Sequence, residues 1–355
     1  MICTSMSRWL LPCVCLLAVC AAPAMAQDQS WKVEGNLQGE PKDTSGFEIS
    51  EDVSGIACDE RAAMPRLCLV ADDETQGAQI VIRHEGRLVV GDYIRLSTSQ
   101  HDGDPLELDA EAVAFEDGHF YVTGSHGRPR HHDNPKKDEE SNAKAAATRQ
   151  IFRITLPASA VDMTTGKLGT AARITPSSLT NILQSQGELA SSYDQALEDG
   201  GLTIEGLAVR DRRLYVGMRG PVIGTDAVVL SVAASAVFDD APAQPTLHKL
   251  SLQTDAAGQA RGVRDIVRFG EGFLVLAGPV QDPPKKTGIR PGDYSIYLWD
   301  GKESVTRRTD LPVIKKKTKP EALLPLDSDA DRVRVLVMFD GPNNGEPQQF
   351  EVKLR

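Results

Sequence analysis

Residues 109–127 read DAEAVAFEDGHFYVTGSHG. An acidic residue precedes a short apolar run, Asp117-Gly118 supplies a tight turn, and a second run alternates around Phe120, Tyr121 and Val122 before ending in glycine and polar residues. Short β-rich runs of period near two on either side of an Asp-Gly turn predict a β-hairpin. The pattern returns as DVSGIACDERAAMPRLCLVADDE (52–74), GLTIEGLAVRDRRLYVGMRGP (201–221), VRDIVRFGEGFLVLAGP (263–279) and KPEALLPLDSDADRVRVLVMFDGP (319–342). With Ser54, Glu111, Glu205, Asp265 and Glu321 taken as equivalent positions, successive spacings are 57, 94, 60 and 56 residues.

Paired strands repeating at this interval are the signature of a β-propeller, in which each blade is one small antiparallel sheet around a central axis. One such sheet cannot bury both faces alone, so neighbouring blades must cover it. The expected fold is all-β, a propeller of five or six four-stranded blades with a short helical insertion, forming a single domain over 27–355. The 94-residue spacing holds the exceptions. Residues 128–149, RPRHHDNPKKDEESNAKAAATR, carry almost no large apolar side chain and read as a disordered polar loop. Within 158–200, Leu179, Ile182, Leu183, Leu189 and Leu197 recur at helical spacings and predict the helical insertion. Residues 31–37 (WKVEGNL) and 348–354 (QQFEVKL) read as the strands that close the ring.

The first 26 residues have a different logic. Arg8 gives a positive start, 9–20 an apolar stretch, and Ala24-Met25-Ala26 a cleavage site of small residues, which together predict a secretory signal peptide. The expected location is periplasmic or secreted, with no transmembrane segment in the mature chain. Four of the six cysteines lie in this leader, leaving Cys58 and Cys68, which fall on the two strands of the first hairpin. A disulfide between them is expected in an oxidising compartment. The formal net charge of −11 disfavours nucleic acid as a partner, because phosphate neutralisation needs a basic surface.

The innermost strand of each blade faces the axis, so an equivalent position in every copy forms a ring. Glu111, Glu205, Asp265 and Glu321 are therefore candidates for a convergent acidic ring that gathers a hard cation such as Ca²⁺. They can equally accept hydrogen bonds from neighbouring strand amides and hold the ring closed, and both readings stand at this level. The ends of the second strands bring a further set toward a channel mouth: Asp72, Asp73 and Glu74, Ser125 and His126, Arg219, and Asp340. In that set His126 is the candidate acid or base and Arg219 the candidate anion contact. No G-x-S-x-G elbow, H-E-x-x-H pair or phosphate loop is present.

The stretches SGIACDE, VADDE, EAVAFEDGHFYVTGSHGR and IEGLAVRDRRLYVGMRGP resemble the bacterial family catalogued as domain of unknown function 3616, from about Ser54 to Phe350. That resemblance implies a secreted or periplasmic propeller and brings no activity with it. A looser similarity, in the E-G-L-A and D-D-E pieces, is to the esterase-like phytase propellers, which implies axial acidic residues that bind calcium and phosphoesters. Two function classes follow. One is an envelope binding protein that holds a small molecule or a protein partner at the propeller mouth; the other is a Ca²⁺-assisted hydrolase of phosphoesters or esters.

Overall fold

Short apolar runs fold each repeat into strands whose two faces are both covered. The computed structural model describes residues 1, 29–42, 45–129 and 138–355, so the predicted leader lies outside the described residues. It is a five-bladed β-propeller. The inner strands are Val53–Cys58, Ala110–Glu116, Thr203–Arg210, Arg261–Phe269 and Lys319–Ser328, each hydrogen-bonded to the second strand of its own hairpin. They pack against one another in cyclic order, blade five returning to blade one.

Five apolar clusters hold the ring together, one in each gap between adjacent blades. Between blades one and two, for example, Leu69 and Ile80 meet Phe120 and Phe152, all fully buried. This is why the strands read as nearly continuous buried runs rather than as alternating ones. Backbones approach closely where the inner strands converge: a Cβ on Gly55 would lie 2.8 Å from Ala112 Cα, so only glycine fits there.

The ring is closed by a strand that begins two residues earlier than expected. Gln29–Ser30 pairs antiparallel with Gln348–Lys353 and becomes the fourth strand of blade five. The stretch expected to close the ring instead contributes Lys32–Glu34, a parallel fifth strand on the edge of blade one.

The long spacing after blade two differs from expectation in two places. Asp138–Thr148 is an α-helix, not part of a polar loop. Its composition explains this: three acidic residues occupy the first turn, where the helix dipole favours them, and the alanines that lack bulk for a core are the best helix formers and bury Ala145 and Ala147. Residues 130–137 lie outside the described residues. Within 158–200, Arg173–Ser177 is the fourth strand of blade two, and the helical turns are confined to short pieces such as Thr180–Gln184 and Gly187–Ala190. Among the described residues no helix is long and apolar enough to cross a membrane. Cys58 and Cys68 are register partners in blade one and form a disulfide.

Candidate functional site

Every inner strand carries a β-bulge near its start. At this point the ladder skips one inner-strand residue in each blade, and these five are Ser54, Glu111, Glu205, Arg264 and Glu321. A bulge inserts an extra residue and re-aims its side chain. Four of these match the positions taken as equivalent from sequence. In blade four the match slips by one residue, and Arg264 stands where Asp265 was expected. Because side chains alternate along a strand, one residue reverses the direction.

The correction changes the chemistry of the axis. Arg264, 1% exposed, is an axial cation between two carboxylates. Its Nε lies 2.9 Å from Glu205 Oε2, and its Nη2 donates to Glu321 Oε1. Asp265 is instead a structural acceptor: its two carboxylate oxygens take the backbone N–H of Ile266 and, from blade five, of Leu323, each at 2.7 Å. Asp265→Ala would strand both buried donors, at about 1–3 kcal/mol each. A lower urea midpoint with unchanged ligand binding is the expected result, read by denaturation and titration of the same variant.

Above this layer the hairpin ends of blades one, two, three and five, with Asp282 from the loop after blade four, surround a cleft of about 860 Å³. Of the residues expected at the mouth, Asp73, Ser125, Arg219 and Asp340 line it, as do the axial Glu111, Glu205 and Glu321. Asp72 and Glu74 do not; the Asp72 carboxylate turns back to accept the Glu74 N–H at 3.1 Å, and burial pushes its carboxyl up to about 7. Arg219 is fully engaged: Nη1 donates to Glu205 at 2.8 Å, Nη2 to Asp282 and Nε to the Val280 carbonyl, both at 2.6 Å. Lys319 pairs with Asp340.

His126 does not reach the cleft. It is completely buried, its Nδ1 lies 3.1 Å from the Gly124 carbonyl, and its Nε2 accepts the backbone N–H of Leu179 at 3.1 Å. These partners require a neutral ring protonated on Nδ1, and burial lowers its pKa to about 4. The imidazole pins the helical insertion to blade two and is no candidate acid or base. Sequence gave no sign of this, since His126 follows the strand end just as the true mouth residues do.

Asp109 enters the site unexpectedly. It directly precedes the inner strand of blade two with φ at +54°, and its carbonyl accepts the Ser125 N–H at 2.9 Å. One carboxylate oxygen from each of Asp73, Asp109 and Glu111 lies within 4.8 Å of the others. Burial and the neighbouring Asp109 hold the Asp73 carboxyl well above the usual range; burial, then Glu205 and Asp109, do the same to Glu111.

The family described as "Protein of unknown function (DUF3616)" matches residues 43–352. The chain belongs to this family. No curated protein matches it in sequence. Among solved structures, it is similar to an exo-β-1,3-galactanase from Clostridium thermocellum at 10% identity, covering 91% of this chain and 62% of that one with a TM-score of 0.46. It is also similar to an α-L-arabinofuranosidase from Podospora anserina at 10% identity, 93% and 98% coverage and a TM-score of 0.42. A luciferin-regenerating enzyme is similar at 7% identity, 85% and 91% coverage and a TM-score of 0.38. The chain thus spans less than two thirds of the galactanase, and at these scores none of the three carries chemistry across to this cleft.

Proposed function

We propose that the protein is an exported binding protein, periplasmic or secreted, whose mouth cleft holds a small, positively charged ligand. The observation that carries this reading is the charge around the cleft. Among the described residues twelve carboxyl side chains line it against four from lysine and arginine. Three of those four, Lys144, Arg219 and Lys319, already have carboxylate partners. Low-dielectric walls lined by one sign of charge concentrate ions of the opposite sign and repel the like-charged. An anionic substrate such as a phosphoester is disfavoured on the same ground, and hydrolysis loses its base with His126 sealed away.

The leader-like first 26 residues and the blade-one disulfide support export. A thermal-shift comparison tests the ligand class. Spermidine, as a cationic probe, is expected to raise the unfolding temperature, with the rise shrinking as salt increases, while citrate leaves it unchanged. Stabilisation by citrate and none by spermidine would overturn the reading.

A further inference from the structure

The axis holds three bulge carboxylates, and its resident cations serve two of them. Arg264 pairs with Glu205 and Glu321; Arg219 adds a second partner to Glu205, and Lys319 lies 3.9 Å from Glu321. Glu111 receives none. It is only 7% exposed and faces the cleft, yet it has no hydrogen-bond or ion-pair partner among the described residues. A buried carboxyl with no partner among the described residues is costly to ionise, and a cation bound beside it would offset that cost. Beside it, Asp73 Oδ1 is also buried without a hydrogen-bond partner among the described residues.

The geometry points to a divalent cation site formed by Asp73, Asp109 and Glu111, at the junction of blades one and two. It rests on the reading of the cleft as a binder of positive charge and specifies where that charge sits. The donor set is all oxygen, which suits Ca²⁺, Mg²⁺ or Mn²⁺ rather than thiolate- or imidazole-seeking metals. Two Ca–O bonds of about 2.3–2.6 Å span the 4.8 Å within which the three oxygens lie. The backbone fixes each donor: the Asp73 N–H donates to the Asp52 carbonyl at 3.2 Å, the Asp109 carbonyl accepts Ser125, and the bulge aims Glu111. Three carboxylates fill only part of the six to eight oxygen positions that Ca²⁺ takes, leaving the cleft side open to water or a second ligand.

Calorimetric titration of the purified protein with CaCl₂, beside unfolding with and without EDTA, tests the site. Wild type is expected to bind one Ca²⁺ and to unfold at a higher temperature with it. Glu111→Gln keeps the shape and removes one of three crowded acids. Its metal-free form is therefore expected to unfold no lower than wild type, while its Ca²⁺ affinity falls by about tenfold or more. A second variant, Asp73→Asn, should lose affinity similarly. Ca²⁺ binding that survives both substitutions would overturn the site. Wild type that responds to spermidine but not to Ca²⁺, Mg²⁺ or Mn²⁺ would overturn it too, leaving the cleft reading intact. A protein that responds to none of these would sink both.

Discussion

Replacing Arg264 with methionine is expected to lower folding stability by about 3–5 kcal/mol, the usual penalty for removing one partner of a buried ion pair. The size follows from what remains. Glu205 and Glu321 are 3% and 4% exposed and would face each other across the axis without the guanidinium between them. Arg219 still reaches Glu205, and Lys319 lies 3.9 Å from Glu321, so the loss falls short of two bare buried charges. Arg264→Lys should recover only part of it, because a point charge on a flexible stem cannot reproduce a fork that meets carboxylates from two blades. The triple variant Arg264→Met, Glu205→Gln, Glu321→Gln should regain most of the stability, since replacing a whole buried ionic group is often nearly neutral. Urea unfolding of the three proteins measures this. A single variant within about 1 kcal/mol of wild type would mean that the axial carboxylates do not depend on Arg264.

The second large effect concerns pH. His126 has a folded-state pKa of about 4 against 6.5 for a free imidazole. The unfolded chain thus binds more protons than the native one between these values, and stability rises with pH through that window. The contribution is fully present above about 6.5 and is lost as pH falls toward 4. At 1.36 kcal/mol per pH unit it amounts to about 3 kcal/mol. His126→Asn removes the titration and should flatten the loss between pH 6.5 and 4 relative to wild type. It also strands the Leu179 N–H, lowering stability at neutral pH by about 1–3 kcal/mol. Equal acid slopes for the two proteins would place His126 in contact with solvent.

The fold was legible because repetition amplifies a weak signal. One hairpin around Asp117-Gly118 says little, but five copies at regular spacing require neighbours that cover each other's faces. The site was half legible for a physical reason. Repeat matching pairs residues by similarity, and in blade four an acidic residue adjoins an arginine, Arg264-Asp265. Choosing the acid preserved the chemistry of the ring and misplaced the axis by one residue. Which of the two points inward is set by where the bulge falls, and only backbone pairing reveals that.

Lys319 and Asp109 were hidden differently. Lys319 opens the fifth repeat with no role expected of it, yet it sits in the cleft against Asp340. Asp109 opens the very stretch that reveals the fold, but as a residue outside the strand it carried no expectation of a role. Charges on a strand or beside it take their meaning from the other blades, which lie some 60 residues or more away in sequence. An axial carboxyl facing the cleft and a structural hydrogen-bond acceptor can therefore look identical in the repeat, as Glu111 and Asp265 do.

The most direct test of the axial charge balance is a crystal structure of the protein grown with MnCl₂, using the anomalous signal of the metal to place it. The expected result is a single strong peak about 2.1–2.6 Å from carboxylate oxygens of Asp73, Asp109 and Glu111, with Arg264 still between Glu205 and Glu321. A peak on Glu205 and Glu321 with Arg264 displaced, or a bare Glu111 hydrogen-bonded to a neighbouring acid, would contradict it.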